Sequence, residues 1–273
     1  MITALDHVAI AVRDIDAAQA LYTRLLGVEP DRQDDNGAAR AWFRFPNMAL
    51  ELMAPDGAGG AGDRVRTQLD AKGEGLWSLA FATPDLEACQ ARLSRLGIGG
   101  EILAPPAQAL SLEPRDTGGL QIFMKPQVSV RISPATGEGA IAGLDHVVVH
   151  TANVDRALGV YGAKLGLDLR LDRANEGWGV RQLFFRAGDA VVEFGASLKA
   201  APSDKPDEFG GLAWRVADAA AAQARLAAEG FNVSEIRTGR KPGTHVFTVR
   251  DGPGGVPTLM ISQGARALAE DSQ

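Results

Sequence analysis

The segment Leu5-Asp6-His7-Val8 returns 139 residues later as Leu144-Asp145-His146-Val147. A chain that repeats itself at that spacing must build like units, each with its own buried face. Set side by side, LDHVAIAVRDIDAAQALYTRLLGV and LDHVVVHTANVDRALGVYGAKLGL share their apolar rhythm and pair His7 with His146, Tyr22 with Tyr161 and Gly27 with Gly166. The following blocks, WFRFPNMALELM and FFRAGDAVVEFG, place Glu51 opposite Glu193. A finer repeat is carried by GLWSLAFATPDLEACQARLSRLGI and GLAWRVADAAAAQARLAAEGF, giving four units at 1–57, 72–128, 143–199 and 208–264. Each reads as an apolar strand, an Ala-rich amphipathic helix closed by Gly, and three short strands separated by turn residues, a βαβββ module.

With 273 residues and 45% hydrophobic content, the chain has enough apolar material for two cores. The expected division is a first domain over 1–128, a linker over 129–142, a second domain over 143–264 and a flexible tail over 265–273. The linker is marked by Pro134, Gly137 and Gly139, which break the periodicity. The stretches 54–63 and 199–211 sit at equivalent places between modules and read as solvated connectors or as lids. The net charge of −6 gives no basic stripe for nucleic acid or an anionic membrane. There is no 18-residue apolar run and no leader pattern, so a soluble cytoplasmic protein is expected, binding a small molecule and with a homodimer left open. Cys89 is the only cysteine, which excludes an internal disulfide, and its place on a helix face reads as core packing. The sequence holds no GxGxxG after the first strand, no GxxxxGK[ST], no HExxH, no CxxC and no GxSxG, so nucleotide-cofactor, zinc-finger and serine-hydrolase chemistry have no foothold.

Each half keeps one His and one Glu at matching places in a chain with only four His. A neutral imidazole and a carboxylate are the side chains from which divalent metal sites are made, so His7, Glu51, His146 and Glu193 are the candidate ligands. His150 follows His146 by four residues on the same strand face and reads as a rim residue. Arg44 and Arg186, on the strand before each Glu, read as solvent-facing. Trp42 and Trp178 are assigned to packing, while Trp77 and Trp214 are candidate cavity walls.

These blocks, with ALELMAP, RDTGGLQIFM, AVVEFGA and RDGPGGVPTLMI, resemble the vicinal oxygen chelate superfamily over nearly the whole chain. That superfamily includes glyoxalases, methylmalonyl-CoA epimerases, extradiol dioxygenases and bleomycin-binding proteins. The resemblance implies an α+β fold in which paired modules curl eight strands into an open barrel-like domain, twice over. It implies four inward ligand places per domain, filled here by His7, Glu51, Ser78 and Phe123, and by His146, Glu193, Trp214 and Thr258. Ser78, Phe123, Trp214 and Thr258 are poor or impossible ligands, so with Trp77 they are assigned to the substrate. Three arrangements follow: a two-ligand metal site in each half, one four-ligand site made by pairing module one with module three, or metal-free hydrogen-bonded couples. The metal would be Zn, Mn, Ni, Fe or Mg. The resemblance also sets His245, five residues after Arg240, where extradiol dioxygenases carry an acid-base His. The expected function is a glyoxalase-like lyase or isomerase of a small oxygenated metabolite, with Glu51, Glu193 and His245 as catalytic candidates. A ring-cleaving dioxygenase and a metal-free resistance-type binder are the alternatives.

Overall fold

A computed structural model describes residues 2–263 except 106, 129–131, 133, 134 and 138, so the expected tail and part of the linker lie outside the described residues. The first half runs β1 (Ala4–Ala11), α1 (Ile15–Leu26), β2 (Asp31–Asp35), β3 (Ala38–Arg44), β4 (Ala49–Pro55), α2 (Gly60–Lys72), β5 (Gly75–Thr83), α3 (Leu86–Arg95), β6 (Gly100–Leu103), β7 (Ala109–Leu112) and β8 (Gln121–Pro126). The second runs β9 (Ile141–His150), α4 (Val154–Ala157), which continues as a π-helix (Leu158–Lys164), then β10 (Asp168–Asn175), β11 (Val180–Ala187), β12 (Ala190–Ser197), β13 (Glu208–Val216), α5 (Ala219–Ala228), β14 (Arg237–Thr238), β15 (Thr244–Val249) and β16 (Thr258–Gln263). Each module helix is entered through an Asp or Asn whose side chain accepts backbone N–H bonds: Asp14, Asp85, Asn153 and Asp218.

The strands form two eight-stranded sheets, ordered β2-β3-β4-β1-β5-β8-β7-β6 and β10-β11-β12-β9-β13-β16-β15-β14. In each, the first strands of two consecutive modules pair antiparallel at the centre, β1 with β5 and β9 with β13. Modules therefore pair within each half. The four-ligand arrangement, which needs module one against module three, is excluded: His7 and Glu51 lie in one sheet, His146 and Glu193 in the other.

The repeated Leu-Asp-His-Val carries a β-bulge. Leu5 faces Phe81 and His7 faces Ala80, so Asp6 is the extra residue, as Asp145 is between Leu144 facing Trp214 and His146 facing Ala213. The bulge reverses the alternation, letting Leu5 and Val8 both enter the core while His7, Ala9 and Ala11 take the other face.

The helix-bearing faces of the two sheets meet in one continuous core. Two buried tyrosines at matching repeat positions join the halves: the Tyr22 hydroxyl donates to the Pro253 carbonyl at 2.9 Å, and the Tyr161 hydroxyl to the Thr117 carbonyl at 3.0 Å. Asn47 pairs with both backbone groups of Leu144, and Arg225 caps the carbonyls of Arg24 and Leu25 at the end of α1. No helix among the described residues is long and apolar enough to cross a membrane.

Burial pushes both tyrosine hydroxyls above their ordinary pKa, with Asp207 raising and Arg156 lowering that of Tyr161. Above about pH 10 the unfolded chain releases phenolic protons that the folded chain retains, so stability is full below that pH and falls as pH rises through it. Tyr22→Phe and Tyr161→Phe should each cost about 1–2 kcal/mol at neutral pH. Denaturant titrations at pH 7 and pH 11 should show a shallower alkaline loss in the double variant; an unchanged slope would remove these hydroxyls as its source.

Candidate functional site

On the inner face of the first sheet, the Asp6 carboxylate contacts His7 Nδ1 at 2.6 Å, while Nε2 lies 3.4 Å from Glu51 Oε2. The second sheet repeats this: Asp145 to His146 Nδ1 at 2.8 Å and Nε2 to Glu193 Oε2 at 3.5 Å. A carboxylate on Nδ1 fixes the tautomer that leaves the Nε2 lone pair facing outward, the orientation metal-binding imidazoles take. A gap of 3.4–3.5 Å is long for a hydrogen bond. It matches two ligand atoms on one tetrahedral ion, which at about 2.1 Å from the metal lie about 3.4 Å apart. Burial alone would raise the Asp145 carboxyl, but the bond from His146 and the charges of His146 and Arg215 outweigh it and hold the group below the usual carboxylate range.

The two couples differ in what compensates the glutamate. In the first half Arg40, on β3, makes an ion pair with Glu51 and is itself held by Asp35 at 3.0 Å. The guanidinium supplies the positive charge that an ion would otherwise bring. Helix α2 then covers this face: Ala61, Val65 and Leu69 pack on Ala9, Ala11, Ala38, Met53 and Trp77 in a small core of their own. Its start is locked to the β2–β3 turn, where the Asn36 side chain and carbonyl accept from the N–H groups of residues 60–62. A Cβ on Gly62 would lie 1.9 Å from the Gly37 oxygen, so only glycine permits this approach. The stretch 54–63 is thus the entry to a plugging helix, neither a free connector nor a lid.

In the second half the position of Arg40 is taken by Gln182, whose amide donates to Glu193 Oε1. Among the described residues Glu193 meets no Lys or Arg. The segment before β13 runs without regular structure, and its Asp207 N–H and side chain are tied to Gly118 and Arg156, away from the inner face. Val148, Phe184, Val191, Leu259 and Ile261 on that face are only half-buried, whereas Ala9 and Ala49, the first-half counterparts of Val148 and Val191, are buried. The donor set of the second half therefore fits a divalent cation; that of the first half, already neutralised, does not. No group of three His, Cys, Asp or Glu suited to a metal occurs among the described residues, so each couple offers two protein ligands.

The remaining candidates divide. Ser78 and Phe123 are on the inner face, with Phe123 edge-on to Trp77 at 6.3 Å. Trp77 also lines a cavity of about 540 Å³ between α2, β5 and Pro257. Trp214 is a correction: it is fully buried on the helix side, 5.2 Å from Phe45, because the repeat aligns Leu212-Ala213-Trp214 with Leu79-Ala80-Phe81. Thr258 is likewise on the core side, bonded to the Val256 carbonyl; Leu259 holds the inward place that Phe123 holds in the first half. His245 faces the side opposite His146, exposed and paired in register with Ser262. His150 lies on the inner-face rim, and the absence of a Cβ at Gly210 makes room for its ring. Trp42 stands edge-on to His7 at 5.0 Å, while Trp178 is exposed under the Arg240 guanidinium. Sequence reading missed Arg40 and Gln182, both eleven residues before their Glu and visible as an aligned pair that differs in charge.

The family pattern described as the Glyoxalase/Bleomycin resistance protein/Dioxygenase superfamily matches residues 6–109 and again 145–248. The chain belongs to that superfamily. A curated relative, the ethylmalonyl-CoA/methylmalonyl-CoA epimerase of Cereibacter sphaeroides, is 34% identical over 136 residues, 46% of this chain and 98% of the relative. Among solved structures, a mutant 4-hydroxymandelate synthase from Streptomyces coelicolor superposes with TM-score 0.74 at 16% identity, covering 97% of this chain and 94% of that one. An Mn(II)-bound glyoxalase from Novosphingobium aromaticivorans gives 0.69 at 19% identity, covering 96% and 82%. At these identities the structures bear on the fold, which they share across both halves.

Exchanging the compensating residues tests the asymmetry. Arg40→Gln leaves Glu51 buried and unpaired and should cost about 3 kcal/mol in chemical denaturation. Gln182→Arg, which recreates the first-half ion pair, should leave the fold intact and suppress Mn²⁺ binding in calorimetry; retained binding would show that charge compensation does not decide occupancy.

Proposed function

We propose that the chain is a glyoxalase-like enzyme with one working site, the inner face of its second sheet, acting on a small oxygenated metabolite. The observation that carries this is the half-buried Glu193, which forms no ion pair with Lys or Arg among the described residues and lies 3.5 Å from His146 Nε2. His146 and Glu193 would hold a divalent ion, which when bound supplies Lewis-acid polarisation of paired substrate oxygens. The chain's own groups do the rest. Arg215 fixes Asp145 at 3.1 Å, Asp145 orients His146, and Gln182 orients Glu193. Val148, Phe184 and Leu259 line the same face with half-buried apolar side chains against which the carbon part of a substrate would pack. Glu193 is placed to take a proton from a carbon beside a carbonyl and to return it, the type of step that an epimerase, such as the Cereibacter relative, performs. The first sheet serves as a structural partner, its Glu51 committed to Arg40. A ring-cleaving iron centre needs a second His, and the place for it holds Ala213.

Mn²⁺ titration of metal-stripped protein should show one site per chain. His146→Ala should abolish that site and His7→Ala should preserve it. Loss of binding in His7→Ala with retention in His146→Ala would overturn the assignment, as would absence of any binding in the wild type.

A further inference from the structure

Arg173 lies on β10 directly across from Gln182, and its Nη2 donates to the Gln182 oxygen at 3.3 Å. In the first half the register pairs Gln33 with Arg40 at the same two places. The Arg and the Gln have exchanged strands. In the first sheet the cation is next to the glutamate and neutralises it; in the second it sits one amide further out, with the same Gln bridging guanidinium and carboxylate. Three other arginines on this sheet are committed to carboxylates, Arg181 to Asp172, Arg215 to Asp145 and Asp189, and Arg170 to Asp168, while Arg186 bonds the Gly188 carbonyl. Arg173 has no carboxylate within ion-pair distance among the described residues, and its Nε is buried without a hydrogen-bond partner.

We infer that Arg173 is a specificity-determining residue that binds an oxyanion at the far end of the substrate. The inference rests on the site proposed above and narrows its substrate class to small oxygenated acids, which present paired oxygens to His146 and Glu193 and a separate carboxylate or phosphate to the guanidinium. A planar guanidinium with unmet N–H donors matches either oxyanion through two parallel bonds, and the inserted amide keeps the cation from collapsing onto Glu193. The exchange of Arg and Gln thus creates two charged places of opposite sign on one face, where the first half has a single neutral pair.

Calorimetric binding of three probes to the Mn²⁺-titrated protein and to metal-free protein tests this. They are 2-oxoglutarate, with a distal carboxylate, 3-phosphoglycerate, with a distal phosphate, and 2-oxopentanoate, with an uncharged end. Wild type should bind one of the two charged probes at least tenfold more tightly than 2-oxopentanoate, and which one is preferred tells carboxylate from phosphate. Arg173→Gln should bring the three affinities together, while Arg173→Lys, which keeps the charge, should retain part of the preference. Equal affinities in the wild type, or a preference that survives Arg173→Gln, would overturn the inference. Failure of the underlying site looks different: His146→Ala would then leave binding of all three probes unchanged.

Discussion

A carboxylate folded into the interior of a β-barrel must be compensated, and much of the difference between the two halves follows from how that is done. Leaving such a charge bare in a low-dielectric interior costs several kcal/mol, more than a small domain can absorb. Both halves place Glu on the strand beside the His-bearing one, and both orient the imidazole with a bulged Asp. The first half answers with a permanent cation, Arg40, and with that charge settled its inner face can be closed by α2 without trapping an unpaired ion. The second half answers with an amide, which can orient Glu193 but cannot neutralise it. Its inner face has stayed half-exposed as a consequence.

Duplication makes this division of labour possible. The tyrosines that cross between halves, Tyr22 to Pro253 and Tyr161 to Thr117, bind each half's helix to the turn before the other half's last strand. Each sheet is therefore braced by the other through equivalent contacts, and the bracing does not depend on what the inner faces contain. Substitutions on one inner face leave the shared core untouched, so one copy can become rigid packing while the other keeps an open site.

The module pattern was legible because it rests on local signals that the fold obeys: caps at Asp14, Asp85, Asn153 and Asp218, Gly after α1, and apolar periodicity in every first strand. The His and Glu of each half were legible for the same reason, being fixed in register by a bulge that the repeat preserves. The errors have a common origin. Trp214 was aligned through Gly211-Leu212 instead of Leu212-Ala213, a shift of three residues, and Thr258 is one residue from the inward Leu259; in a strand an odd shift moves a side chain to the opposite face. Helix α2 was hidden by four glycines around its start, which mask the Ala61, Val65, Leu69 spacing of a helical stripe. Two of those glycines, Gly59 and Gly62, serve close backbone approach at the Asn36–Gly37 turn, a tertiary demand that composition alone reports as a loop.

The position of a single charge also explains why the two halves can keep the same His and Glu and still differ in purpose. If the couples persisted only as hydrogen-bonded packing, both would be expected to keep an Arg or Lys close by, since a carboxylate withdrawn from water without a partner charge destabilises the fold. Only Glu51 has one. At Glu193 the cation that the first half holds in contact has been moved one strand outward, to Arg173, and an amide put in its place. In the function proposed above, a positive ion at His146 and Glu193 and an anion at Arg173 would supply the charges that this arrangement leaves unmet. A charge arrangement kept in one copy and absent from the other within the same chain is what the proposed binding site would require.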